Sequence, residues 1–322
     1  MKKFIAKVIL LFFLVFANVA LINYIYINRT ENSDIDNIKK FFIMPDQITI
    51  CNLGSSHGEY DYNYCDWDKK YKCFNFGLSA QSLSYDYRLL KYYGDRINKG
   101  TVVFITVSYF ILFGKDETEV AYFDSMNRRY YSILPDTLIK KYDFSTDVMV
   151  HYFPSLSVIP TEMIKRIIYP PLPVLEDRWK RNVDSIDLVK DANNAFCRHL
   201  LIDKLDSNGH RIKNKEEINA LNDIITFCQK KGAIPILITP PYLAEYTDLV
   251  KTDKTFYSDF YSIVHEISNK TGTDYYDYAL DKRFANQHAW FMNADHLNEE
   301  GARQFVNILM KDIVLKRGYI SS

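Results

Sequence analysis

The residues best suited to chemistry in this chain lie in two short stretches about 240 residues apart. In the first, Ile48-Thr49-Ile50-Cys51-Asn52-Leu53 is an apolar run that stops at Gly54 and delivers Ser55 and Ser56. In the second, Asn293-Ala294-Asp295-His296-Leu297-Asn298-Glu299-Glu300 sets a histidine just before a helix start. A serine hydroxyl is a poor nucleophile until a base within hydrogen-bond reach takes its proton, so Ser56 with His296 is the pair that acyl transfer needs. Asn298 is a favourable N-cap, and Glu299 and Glu300 fall in the first turn, where the helix dipole favours acids. An imidazole beside that positive end is biased toward its neutral form, the form a general base requires. Two residues compete to orient it. Asn293 stands three residues before His296, and Asp295 is adjacent. Neighbouring side chains in an extended segment point to opposite faces, which favours Asn293. Charge favours Asp295, because only a carboxylate stabilises imidazolium strongly, and we give it the preference.

These residues need a sheet to hold them, and the chain alternates as an α/β protein does. Ile48–Leu53 reads as the first strand and Lys72–Gly77 as the second, followed by a helix over 83–97. Thr101–Val107 is a continuous apolar run of the kind buried on both faces of a parallel sheet. Residues 215–231 form a helix closed by Gly232, and Ala233–Thr239 is another buried strand broken by Pro240-Pro241. A helix over 253–270, a strand Thr273–Tyr278 and a final helix over 298–314 complete the pattern. Together they predict a doubly wound, mostly parallel sheet, with active residues at the C-terminal ends of its strands. Ser56, Gly77 and Ser108 all fall there. Residues 108–214 carry aromatic and basic clusters (Arg128-Arg129-Tyr130-Tyr131, Tyr169-Pro170-Pro171-Leu172-Pro173) but no clear sheet strand, which predicts an inserted helical subdomain.

Composition excludes some classes. Of the 322 residues 48% are apolar, ample for a core, and 40 acidic residues balance 40 basic ones. No basic stripe suggests a nucleic-acid partner. The seven histidines are dispersed without metal-ligand spacing, so neither a metal nor another cofactor is implied. Of the five cysteines, Cys51 and Cys228 read as core, and Cys65 and Cys73 are either a pair or two free thiols.

The N-terminus sets the compartment. Met1-Lys2-Lys3 and Lys7 precede an apolar run from Val8 to Ile27, whose strongly polar members are Asn18 and Asn23. Twenty residues at ~1.5 Å each match a hydrocarbon core of about 30 Å. Lysines before the run and a net acidic stretch after it keep the N-terminus cytoplasmic and export the remainder. An uncleaved anchor fits better than a signal peptide, whose apolar region is usually shorter. The chain then divides into an anchor (1–28), a polar stalk (29–44) and an extracytoplasmic domain (45–322) interrupted at about 108–214.

The strand-end Gly54-Ser55-Ser56 and the C-terminal His296 resemble the SGNH (GDSL-type) hydrolase superfamily. There the serine follows the first strand in a Gly-x-Ser turn, and the histidine lies in an Asp-x-x-His stretch. The resemblance covers residues 45–107 and 215–315. It implies a flavodoxin-like three-layer fold with Ser56 as nucleophile and His296 as base. It also implies an oxyanion hole with backbone donors at Ser56 and Gly77. Asn293 stands where the family has aspartate. The family's Gly-x-Asn-Asp stretch is replaced by Thr106-Val107-Ser108-Tyr109-Phe110, leaving the Ser108 hydroxyl as candidate donor. With a membrane anchor, the chain is similar to the cell-surface branch that includes the teichoic-acid D-alanine transfer protein and the alginate and peptidoglycan O-acetylation proteins. That resemblance implies passage of acyl or O-acetyl groups to or from a surface glycan or polyol-phosphate polymer. A membrane-bound O-acyltransferase would be the partner. The alternative class is a surface or assembly protein of polysaccharide modification that keeps the fold without activity.

Overall fold

A computed structural model describes residues 1–30, 38–115, 126–157, 159–169 and 179–320. Part of the expected stalk (31–37) and Pro170–Pro173 of the proline-rich cluster lie outside the described residues. The chain divides into two compact units, one of residues 1–43 with 125–176, the other of 44–124 with 177–322.

The first unit holds helices α1 (Lys2–Thr30), α4 (Phe144–Tyr152) and α5 (Pro160–Ile168). The stretch Lys2–Ile27 of α1 is long and apolar enough to cross a membrane, with a mean hydropathy of 2.7 over its most apolar 18 residues. The two asparagines of its apolar run are both satisfied. The Asn18 amide donates to Leu14 O in its own helix, and buried Asn23 donates to Tyr152 O while its Oδ1 accepts from the Ser155 hydroxyl.

The second unit is built on five parallel strands: β1 (Ile48–Leu53), β2 (Cys73–Asn75), β3 (Ile97–Thr106), β4 (Ile234–Thr239) and β5 (Asp274–Asp277). Their order is β2-β1-β3-β4-β5, the flavodoxin-like arrangement. Side chains alternate across the sheet. Val102, Phe104, Ile236 and Ile238 share one buried cluster with Phe305, Val306 and Leu309 of α10 (Glu299–Leu309). Helices α3 (Leu83–Tyr92) and α7 (Lys215–Lys231) pack on each other, and α7 also packs on β3 and β4. The remaining helices of this unit are α2 (Ser56–Tyr60), α6 (Leu188–Phe196), α8 (Ala244–Val250) and α9 (Phe256–Thr271).

The architecture is the expected α/β fold, and the departures from expectation have local causes. Strand β3 starts at Ile97 rather than Thr101 because Ile97 already pairs with Ile48, with a register shift before Ile50 that accommodates Gly100. Helix α3 therefore stops at Tyr92 instead of running to 97. Pro235 sits inside β4, where β4 pairs β3 but β5 has not yet joined, so the missing N–H is tolerated. Helix α8 went unread because seven residues after two prolines show no period. The last helix passes into a π turn (Met310–Leu315), and all five cysteines are free thiols.

Candidate active site

The turn after β1 is held from three sides. Gly54 has φ +138°, and a Cβ there would lie 2.7 Å from Thr106 Cβ, so no other residue fits. Its N–H donates to Asp86 Oδ1 on α3 at 2.9 Å, and Gln81 donates to the same oxygen at 2.6 Å. Burial pushes the Asp86 carboxyl up to about 8, against the two hydrogen bonds it accepts here. Helix α2, which Ser56 opens, is tied to the turn after β2 by Glu59, whose Oε2 accepts from Ser79 N–H and Oγ–H at 2.7 and 2.6 Å.

His296 comes from the loop before α10. Phe291 and Leu297 form a two-residue bridge, and Met292 N–H donates to His296 O, closing residues 292–296 into a tight turn. Leu297 N–H donates to Asp61 Oδ1 at 2.9 Å, and Asn298 caps α10 by accepting from Gly301 N–H. So held, His296 Nε2 lies 2.8 Å from Ser56 Oγ, across 240 residues of sequence. Ser56 is half-buried and His296 is 8% exposed.

Nδ1 of the same ring faces both candidate orienters. Asn293 Oδ1 is 3.2 Å away and Asp295 Oδ2 is 3.3 Å away. The segment is a turn rather than an extended strand, so adjacent residues do not point to opposite faces. Asn293 Oδ1 also accepts from His296 N–H at 2.7 Å, which makes it the brace of the turn. Asp295 is fully buried. Burial alone would raise its carboxyl, but His296, then His57 and His199, reverse this and hold it well below the usual carboxylate range.

Two further histidines surround that carboxylate and were not foreseen. His57 stacks on His296 at 4.4 Å between centroids and 15° between planes. Its Nε2 is 2.8 Å from the Asp295 carbonyl, which can only accept, so this nitrogen carries the proton and Nδ1 accepts from the Ser108 hydroxyl at 2.9 Å. Burial, then the proximity of His296, lowers the His57 pKa to about 4. His199, on the π turn Cys197–Leu201, lies 3.6 Å from Asp295 Oδ2 through Nε2 and 3.0 Å from the Tyr246 hydroxyl through Nδ1. The signal for His57 was its place directly after Ser56. Nothing in the sequence marked His199.

A buried neutral imidazole carries a pH dependence. Between about 6.5 and 4 the unfolded chain binds a proton at His57 that the folded chain does not, so stability falls as pH drops through that window. The melting temperature should decline from pH 7 to pH 4.5, and His57→Gln, which keeps a donor for Asp295 O, should flatten part of that slope. An unchanged slope would mean that His57 is not neutral in the fold.

The proposed oxyanion donors are placed less simply. Ser56 N–H has no acceptor among the described residues. Gly77 N–H donates to Asn75 Oδ1 at 2.8 Å, so an oxyanion would have to displace that oxygen. The glycine itself is demanded by packing, because a Cβ at 77 would lie 2.3 Å from the carbonyl carbon of Gly58. Ser108 is fully buried and engaged with His57, and Ser55 is fully buried. His57, Asp295 and His296 bring ligand-type atoms within 4.8 Å of one another. Both His57 nitrogens are nevertheless committed to hydrogen bonds and His296 Nε2 faces Ser56, while the buried Asp295 carboxylate meets the imidazoles at 3.3 to 3.7 Å as ion-pair contacts.

The serine at the end of β1 in a parallel α/β sheet thus meets a histidine delivered from the loop before the last helix. Residues 201–301, which include Asn293, Asp295 and His296, match the family model described as DltD protein. The resemblance to the teichoic-acid D-alanine transfer proteins therefore holds over that segment. No curated protein matches the chain. Similar solved structures include the acetyl xylan esterase AlAXEase, 12% identical, covering 82% of this chain and 99% of that one with a TM-score of 0.39. Another is a Streptococcus pneumonia protein described as a platelet activating factor, 12% identical, covering 95% of this chain and 98% of that one with a TM-score of 0.38.

Proposed function

We propose that this chain is a membrane-anchored, extracytoplasmic acyltransferase or esterase acting through a Ser56 acyl-enzyme. The observation that carries it is the 2.8 Å contact between Ser56 Oγ and His296 Nε2, with Asn293 and Asp295 behind the ring. Ser56 attacks the acyl carbonyl as its proton passes to His296 Nε2, and the imidazolium keeps Nδ1–H toward Asp295 and Asn293. The oxyanion takes the Ser56 N–H, with Gly77 N–H joining once Asn75 Oδ1 yields it. The tetrahedral intermediate expels its alkoxide, which leaves with the His296 proton. His296 then deprotonates water or an acceptor hydroxyl, which attacks the acyl-serine and regenerates the free hydroxyl. The DltD match supports acyl transfer at the cell surface, on a teichoic-acid-like polyol phosphate or another surface glycan. A membrane-bound O-acyltransferase is the donor partner this reading calls for.

The N-terminal helix anchors the protein with its N-terminus in the cytoplasm. We keep the division into anchor (1–28), stalk (29–44) and interrupted domain (45–322) as part of the proposal. Full-length protein should fractionate with membranes, and the region after Ile27 should be open to external protease in spheroplasts. A soluble mature form beginning near Asn18 or Leu21 would show a cleaved signal instead.

The second reading, an inactive assembly protein, is favoured by the occupied Gly77 N–H and the neutral Asn293. Turnover separates the two. Detergent-solubilised full-length protein should hydrolyse an activated acetyl ester or transfer its acetyl group to an added polyol. Absence of both, with no covalent adduct, would favour the second reading.

A further inference from the structure

The first unit contains an apolar surface that the acyl-transfer reading does not use. Residues 144–157 and 159–169 carry α4 and α5, and α5 packs on α1. Two contacts fix where this segment meets α1. Asn23 exchanges hydrogen bonds with Tyr152 O and Ser155, and the Phe16 ring meets Phe153 edge-on at 6.3 Å. Both α1 residues belong to the apolar run ending at Ile27. At ~1.5 Å per residue, Asn23 lies about 6 Å and Phe16 about 16 Å inside the outer edge of that run.

Any segment touching those positions shares their depth. Around the contacts Phe144, Leu156, Ile159, Ile164, Ile168 and Tyr169 are exposed, with Ile159 and Tyr169 more than 70% so. In water, such a patch on one short segment would be costly. At the depth set by Phe16 and Asn23 its neighbours are acyl chains, and the exposure has a reason. The polar groups fit as well. Asn23 is buried and satisfied by this segment, as a polar side chain inside a bilayer must be. Exposed Lys165 on α5 has a stem long enough to carry its ammonium to the headgroup boundary.

We propose that residues 144–157 and 159–169 are a second membrane-embedded element, dipping beside α1 into the outer leaflet with lipid as the occupant of their apolar face. This rests on α1 spanning the bilayer. It adds that the chain enters the membrane twice by different means, once as a span and once as a monotopic helix pair.

The test uses full-length protein in vesicles of phosphatidylcholine and phosphatidylglycerol carrying a photoactivatable diazirine in the acyl chain, with adducts mapped by peptide mass. Lipid adducts are expected on peptides from 144–169 as well as on α1, at background level on β1–β5. Ile164→Asp with Ile168→Asp should remove the adducts from 159–169 and leave those on α1. Adducts confined to α1 would overturn the proposal and assign the face to a protein partner or to water. Absence of adducts on α1 itself would instead overturn the spanning helix, and the proposal with it.

Discussion

Ser56→Ala is expected to lower kcat for an activated acetyl ester by about 10⁶-fold, the scale of losing one member of a serine–histidine pair. The change deletes one oxygen from a half-buried side chain, so the melting temperature should stay within a few degrees of the parent protein. His296→Ala should cost as much. The double variant should be no worse than either single one, since a base with no nucleophile and a nucleophile with no base are equally idle. That non-additivity matters more than the size of the loss. Two residues that merely stabilise the fold would each take a share, and their losses would add. Ser55→Ala provides the control: Ser55 is fully buried and its Oγ has no hydrogen-bond partner among the described residues, so much of the activity should remain.

The second large effect concerns the carboxylate behind the imidazole. Asp295→Asn should reduce kcat by about 10⁴-fold, as removal of a triad carboxylate does. The Asp295 carboxylate lies on the Nδ1 side of the ring, and three imidazole nitrogens lie 3.3, 3.6 and 3.7 Å from its Oδ2. A neutral amide there loses the stabilisation of imidazolium and sets an NH₂ group against ring N–H groups. Asn293→Asp should preserve or raise the rate, because the brace of the turn survives while charge is added beside Nδ1. Rates for the two variants, with His296→Ala as reference, decide between them. A near-normal rate for Asp295→Asn would transfer the orienting role to Asn293.

How much of this could be read beforehand follows a physical line. Apolar runs, breaking glycines and capping residues act over a few positions, so β1, β4, α7 and the start of α10 were legible where their residues stand. The serine at a strand end and the histidine before a helix were legible for the same reason, and the fold brings them to 2.8 Å. What stayed hidden depends on contacts between distant segments. His199 reaches Asp295 from a π turn about a hundred residues upstream, and no spacing rule connects the two. Asn75 folds back two residues to occupy Gly77 N–H, a side-chain choice that the pattern of a strand leaves open. The contest between Asn293 and Asp295 was posed for an extended segment, whereas Met292 N–H and His296 O close a turn that presents both. Asn23 read as a blemish in an apolar run, and its partners are 129 and 132 residues away.

The central claim is a covalent one, that an acyl group rests on Ser56. Full-length protein mixed with an activated acetyl ester, quenched in acid within the first turnovers and digested, should yield a single peptide spanning Ser56 with the mass of one added acetyl group. The added mass should vanish in Ser56→Ala and decay as free acetate or acetylated acceptor forms. Acetyl transfer that proceeds without an adduct on Ser56, or with undiminished labelling elsewhere in the Ser56→Ala protein, would contradict the account.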